Sequence, residues 1–507
     1  MTKRRRDGPD GKSAAHAKSA EHERGLRFVK FLTAAVTPFH AVHVGSKMLE
    51  EAGFARLEES DPWRGTLRAG GKYYYTRCDS TLVAFSVGPA YQAGGGFKVV
   101  GAHTDSPALK TKPLTLHGAG NADGMTQVSV VTYGGGLWHT WFDRDLGIGG
   151  MVLTRARGPD GKPGPPTKRL LTIDEPVLRV PSLCIHLQTA AERESFAPNK
   201  ESHLAPVICL AAERQLGGSS NNGQQGGVPA SGPPGGAFEK KQEPELMQLM
   251  ASRLGVEPED IASFDLTLFD AQAPALGGTH SEFVLGGRLD NLASCFVALE
   301  ALIDAAASPG PDDGDISCIA LFDHEEVGSS SNQGAGGPVM KDAIDRISEA
   351  LGAPAESEVA KMALRKSFIV SLDNAHAVHP NYRSKHEGTH RPVMGGGCVI
   401  KSNANMRYAT DSITSYIVRE LASRASAPVQ EFVVKNDCPC GSTIGPIIAS
   451  SIGVRTCDIG MPQLSMHSVR EMMGTDDLTH CYKLLGAFFK EFSSVDDHAA
   501  LNPAPVE

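Results

Sequence analysis

The apolar run Ile316–Phe322 (ISCIALF) stops abruptly at Asp323, His324, Glu325 and Glu326, and no other stretch constrains the chain as much. A short apolar run of this kind reads as a buried strand. Neighbouring side chains on a strand point to opposite faces, but where the strand breaks into a loop both glutamates can turn toward one cleft. One carboxylate then binds a metal ion while its neighbour acts as general base toward water. Taken alone, the pair is more simply two solvated loop acids, so the rest of the chain has to settle the matter.

The surrounding sequence supplies the frame for such a strand. After Gly286 helical and strand periods alternate: Leu292, Cys295, Phe296, Leu299, Leu302 and Ile303 follow helical spacing. Strands at Ile316–Phe322, Phe368–Leu372, 429–435 and 453–459 come next, then a last amphipathic helix using Leu478, Leu484, Phe488, Phe489 and Phe492. Alternation of this kind predicts a mixed α/β/α sheet with its site at the carboxyl ends of the strands. Upstream, helices flank a Thr37-Pro38 break, and short strands follow at 72–75, 81–85 and 97–100.

From about Lys110 to Gln272 the texture is Gly- and Pro-rich with alternating apolar residues, which predicts a β-rich module inserted into the first domain. The expected organisation is a disordered polar tail over 1–24, one domain from 25–109 and 273–507, and the insert at 110–272. Within the insert, 217–236 (GGSSNNGQQGGVPASGPPGG) is a low-complexity loop expected to be disordered.

At 507 residues the chain exceeds one ordinary core, so two domains with extensions are the default. A hydrophobic fraction of 41% fits a globular protein, and a net charge of -9 gives no reason to expect nucleic-acid binding. The 10 cysteines show neither disulfide-framework spacing nor a C-x-x-C pair, which fits reduced thiols in the cytoplasm. Lys3, Arg4, Arg5 and Arg6 are not followed by an apolar stretch, so no secretory signal is expected. No apolar run approaches the roughly 18 residues a membrane span needs.

Other metal-ligand residue types share the glutamates' context. The run Phe97–Ala102 ends in His103, Thr104 and Asp105; His103 offers an imidazole, and Asp105 is expected to accept its other ring N–H. Asp290 stands where Gly286–Asn291 runs into a helix, a position that also suits a helix cap. Phe368–Leu372 ends in Asp373, and His467 follows the last strand through a short loop. Together they make two histidines and three carboxylates with one carboxylate to spare, the inventory of a two-metal hydrolytic site. Imidazole and carboxylate without thiolate suit zinc, and also cobalt or manganese.

The strings VGAHTDSPALK, GGRLDN, FDHEEVGSSS, SLDNAHAVHPNY and MPQLSMHSVREM, occurring in this order, resemble those of the aspartyl aminopeptidases of the M18 metallopeptidase family, over about Leu26 to Phe492. The resemblance implies a dinuclear zinc exopeptidase domain carrying an inserted β-rich dimerisation domain, releasing N-terminal Asp or Glu from peptides. It implies two zinc ions per subunit: His103 and Asp373 on one, Glu326 and His467 on the other, Asp290 bridging, Glu325 as general base and Asp105 as the orienter. Lys401 and Tyr408 would hold the substrate's acidic side chain, so that Lys401→Ala is expected to lose acidic substrates selectively. His376 would lie near the developing oxyanion. His186 would enter a neighbouring subunit's site, in a dimer-based homo-oligomer that the family builds to a dodecamer. The turn Gly441–Pro446 into a helix is a further candidate to offer amides to an anion. Two other readings stay open: a related amidohydrolase acting on acylated amino acids or dipeptides, and a non-catalytic assembly protein.

Overall fold

The computed structural model describes residues 9–117, 122–158, 163–212 and 238–498. The chain divides into two compact units, one of Met1–Asp105, Pro274–Met466 and Glu471–Glu507, the other of Ser106–Ala273 and His467–Arg470. The expected low-complexity loop at 217–236 lies outside the described residues.

The first unit is built on a nine-stranded sheet. Its order is Ala55–Arg56, Lys72–Arg77, Thr81–Val87, Ile316–Phe322, Phe97–His103, Phe368–Leu372, Arg455–Gly460, Cys398–Lys401 and Val429–Phe432. The four central strands, from Ile316–Phe322 to Arg455–Gly460, are mutually parallel, while Thr81–Val87 and Cys398–Lys401 pair antiparallel on either side of them. Their carboxyl ends therefore lie along one edge, with His103 level with Phe322 and Ser371 level with Gly101.

Strand alternation sends successive side chains to two cores. Val100, Ala102, Ile319 and Leu321 pack with the helices Leu289–Ala307 and Thr475–His498; Phe97, Val99, Cys318 and Ala320 pack with Val339–Ala350 and Ile444–Ile452. This is the mixed α/β/α arrangement expected from the alternating periods. The helix Leu289–Ala307 is buried on nearly every side, which is why its sequence shows so little amphipathic contrast. Each large side chain of this core, such as Phe296 against Phe28 at 5.4 Å between ring centres, contributes about 1.5–3 kcal/mol through burial. A smaller five-stranded sheet, Ala275–Gly277, Phe283–Gly286, Glu471–Gly474, Pro462–Leu464 and Ala375–His376, completes this unit.

The N-terminal expectation needs correction. A helix spans Pro9–Ala34 where a disordered tail was expected over 1–24, and residues 1–8 lie outside those described. Arg24 Nε donates to Glu300 Oε2 at 2.9 Å. A stretch rich in Ala, Lys and Glu with little apolar content looks like disorder in sequence, yet these are strong helix formers once one end is anchored. The break at Thr37 is as expected, with Pro38 opening the next helix, Pro38–Glu51.

The second unit is a six-stranded antiparallel sheet ordered Pro163–Leu178, Leu146–Arg157, Ile261–Asp270, Ala108–Leu116, Met125–Tyr133 and Val207–Leu210. Leu246 and Met250 of the helix Pro244–Leu254 share its core with Ile148, Val152 and Leu268. Gly150 lets Leu146–Arg157 pair closely with Ile261–Asp270, because a Cβ there would meet Asp265 O at 1.9 Å. A connecting segment leaves Leu183, Ile185 and Leu187 exposed around His186. Among the described residues no helix is long and apolar enough to cross a membrane, and all ten cysteines are free thiols.

Candidate metal centre

Three parallel strands end together, and their last residues turn into one cluster. His103 closes Phe97–His103 and is buried; its Nε2 lies 3.5 Å from Asp290 Oδ1, 3.5 Å from Asp373 Oδ1 and 4.0 Å from Glu325 Oε2. Ligand atoms of His103, Asp290 and Asp373 lie within 4.8 Å of one another, and so do those of His103, Glu325 and Glu326.

The supporting contacts show how a sequence of loop acids becomes a rigid site. Asp105 is fully buried, and its two carboxylate oxygens accept the backbone N–H groups of Glu325 and Glu326, each at 3.1 Å. Its expected bond to the His103 ring is made instead mainly through its backbone: His103 Nδ1 is 3.0 Å from Asp105 O and 3.4 Å from Oδ1. The carboxylate is thus chiefly a clamp on the glutamate turn. Ahead of that turn, Asp323 N donates to Thr81 Oγ1 at 3.0 Å, and His324 adopts a left-handed conformation with its ring 2.8 Å from Ser331 Oγ.

Asp373 follows Phe368–Leu372 directly, its N–H donating to Ile459 O at 2.9 Å. Gly460 permits this turn, since a Cβ there would stand 1.8 Å from Asp373 O. Asp290 lies in the first turn of Leu289–Ala307 with non-helical backbone angles, and its N–H donates to Glu471 Oε2 at 3.1 Å. Glu471 also accepts from Gln463 Nε2 at 3.2 Å, and Gln463 Oε1 accepts from Asn374 Nδ2 at 2.6 Å. This buried chain ties the Asp290 turn to the Asp373 turn. The sequence reading missed it, although Glu471 and Gln463 lie within the MPQLSMHSVREM string that carried His467.

Electrostatics adds to the geometry. The carboxylates of Asp105, Asp290, Asp323, Glu325, Glu326 and Asp373 meet here against His103 and Lys401. Burial pushes Glu325 up to about 8; His103 opposes this, and the charges of Asp373, Glu326 and Asp105 add to it. Burial works against a charged His103, yet Asp105, Asp290 and Asp373 outweigh it and raise the imidazole well above its ordinary value. Asp323 is raised to about 6 by burial and then by Asp105. Acids gathered this tightly away from water need compensating cations. The donor set fits zinc: imidazole and carboxylate, with no available thiolate. Cys295 Sγ lies close but donates to His103 O at 3.0 Å, and burial pushes that thiol up to about 12.

Lys401 and Tyr408 are buried beside Asp373: Lys401 Nζ donates to Asp373 Oδ2 and to Asn374 O, each at 3.1 Å, and stands 5.3 Å from the Tyr408 ring centre. His376 is exposed on the next strand, its ring 6.0 Å from that of Phe432. His467 belongs to the second unit, where its Nδ1 lies 3.1 Å from Gly135 O, and His186 lies in the exposed turn Ile185–Leu187 of the same unit. The anion position expected at Gly441–Pro446 is not carried by the structure. Thr443 caps the helix Ile444–Ile452, and a Cβ on Gly445 would lie 2.4 Å from the carboxylate of buried Asp458, so an acid already faces that end. Asp458 also accepts Ala409 N–H at 2.6 Å and so fixes the segment bearing Tyr408; an acid between Cys457 and Ile459 within a strand was its signal in the sequence.

Comparison with known proteins gives the same direction. Residues 31–489 match the family described as Aminopeptidase I zinc metalloprotease (M18). A probable aspartyl aminopeptidase of Ricinus communis is 46% identical over 92% of this chain and 95% of its own length, and the aspartyl aminopeptidase of Aspergillus oryzae is 44% identical over 92% and 96%. The cryo-EM structure of the Ape4 and Nbr1 complex matches with a TM-score of 0.87 and 38% identity, over 96% of this chain and 89% of that one. The Saccharomyces cerevisiae mApe1 dodecamer matches with a TM-score of 0.78 and 30% identity, over 94% and 98%. With its strand-end imidazole and carboxylate cluster, the chain belongs to the M18 family of zinc metalloproteases.

Proposed function

We propose that this chain is an aminopeptidase releasing N-terminal Asp and Glu from peptides, with two zinc ions per subunit and Glu325 as general base. The observation that carries the reading is the buried carboxylate cluster around His103, in which Glu325 is held near the other acids and raised to about 8. His103 and Asp373 would hold one ion, Glu326 and His467 the other, with Asp290 between them. When bound, the ions lower the pKa of water and polarise the scissile carbonyl.

The chain's own groups supply the rest. Glu325, its backbone fixed by Asp105, takes the proton of the attacking water and passes it to the leaving amine. Lys401 and Tyr408 receive the substrate's acidic side chain, and His376 donates toward the developing oxyanion. The acidic preference is supported by the relatives named aspartyl aminopeptidase. Cobalt or manganese could replace zinc in one position, since the donors are not zinc-exclusive. The similar mApe1 dodecamer supports a homo-oligomer here, in which His186 completes a neighbouring subunit's site. Ten free thiols support a reducing, cytoplasmic setting.

Glu325→Gln should fold, retain zinc and lose turnover of an aspartyl-amide substrate by about 100-fold or more. Wild-type turnover in that zinc-loaded variant would sink the assignment. Peptides with acetylated N-termini should be refused; their hydrolysis would favour the amidohydrolase reading instead.

A further inference from the structure

We infer that Lys401 is a positioning residue for Asp373 as well as a contact for the substrate, so that recognition of an acidic residue and retention of zinc depend on one ammonium group. The inference rests on the two-zinc reading above. Lys401 closes the strand Cys398–Lys401 with only 3% of its side chain exposed. Its Nζ donates to Asp373 Oδ2 at 3.1 Å, whereas the other oxygen of that carboxylate, Oδ1, lies 3.5 Å from His103 Nε2. The carboxylate is therefore held from both sides, with Lys401 fixing which oxygen faces the cluster. Without the ammonium, Asp373 Oδ2 would lose the donor that keeps it turned from the cluster, and the carboxylate would be free to rotate. Partners that orient a ligand in this way commonly affect metal affinity about 10- to 100-fold.

The donor count ties this role to selectivity. An ammonium has three N–H groups; two are spent on Asp373 Oδ2 and Asn374 O, so at most one serves an incoming carboxylate. Lys401→Ala is consequently not expected to lose acidic substrates alone, in contrast to a lysine that only lines a pocket.

The test measures zinc affinity by chelator competition in the full-length wild type, Lys401→Met and Lys401→Arg, alongside turnover of Asp-amide and Ala-amide substrates. We expect Lys401→Met to bind zinc about tenfold or more weakly and Lys401→Arg, which keeps a cation beside Asp373, to bind zinc more tightly than Lys401→Met. Saturating zinc should then restore Ala-amide turnover in Lys401→Met but leave Asp-amide turnover low. Wild-type zinc affinity in Lys401→Met would overturn the positioning role. Recovery of both substrates with zinc would overturn the shared role, leaving Lys401 to the metal alone. A wild-type chain that binds no zinc would overturn the reading beneath the inference. If Lys401→Met does not fold, Lys401→Gln replaces it, with weakened zinc binding as the supporting result and unchanged binding as the overturning one.

Discussion

Asp105 shows how much of the site hangs on hydrogen bonds that residue types alone do not reveal. The sequence supported a carboxylate two places after His103, but the acceptor geometry toward Glu325 N and Glu326 N depends on a loop that arrives more than two hundred positions later. Asp105→Asn turns an amide group toward one of those N–H donors. It should cost about 1–3 kcal/mol in chemical denaturation and weaken zinc binding, while a variant as stable as wild type would show the clamp to be dispensable. Gly460 makes the opposite point, since its small size matters only because Asp373 O passes so close. Gly460→Ala should lose stability by about 1–3 kcal/mol and release zinc more readily, read by melting and chelator competition. An unaffected protein would mean that the turn relaxes freely.

Strand ends were the most legible elements. His103, Asp373 and the glutamate pair each follow an apolar run whose residues proved buried on both faces, so period and polarity sufficed to place them at one sheet edge. The helix starting at Pro9 was less legible because an Ala-, Lys- and Glu-rich helix and a disordered tail share a composition. The buried acid at the start of the helix Thr475–His498 was also invisible as such. Asp477 accepts the N–H groups of Gly395 and Gly397, at 2.7 and 2.9 Å, and so holds the turn before the strand bearing Lys401. Burial raises it to about 7, with Asp476 adding to the shift. Because its folded pKa lies above its unfolded one, the folded chain binds more protons between about pH 4 and 7. Its contribution is therefore full below that window and fades as pH rises through about 7. Replacing it by Asn should flatten that part of the stability-versus-pH curve measured by denaturant titration; an unchanged slope would assign the dependence elsewhere.

At the scale of the whole molecule, the second unit's β-rich character could be read from alternating residues, but what His186 and His467 reach in an assembly is not written in local sequence. If His186 serves a neighbouring subunit, His186→Ala and Glu325→Gln chains should each be nearly inactive alone, and co-assembled mixtures should regain a measurable fraction of activity. No recovery in verified mixed oligomers would confine each site to its own chain. Zinc removal by chelator should abolish turnover and lower the melting temperature, by mass action on the folded state, and both should return with zinc. Unchanged melting would place the ions outside the folding equilibrium. The crowding of Gly460 against Asp373 has a further consequence for biosynthesis. His103, Asp290, Glu325, Glu326 and Asp373 all precede Arg455–Gly460 in the chain, yet this strand pairs directly with Phe368–Leu372 and presses on the turn that carries Asp373. If these residues are the zinc donors, all of them are synthesised before the strand that presses on the Asp373 turn, and ion capture by the complete set would report a sheet that has received that strand.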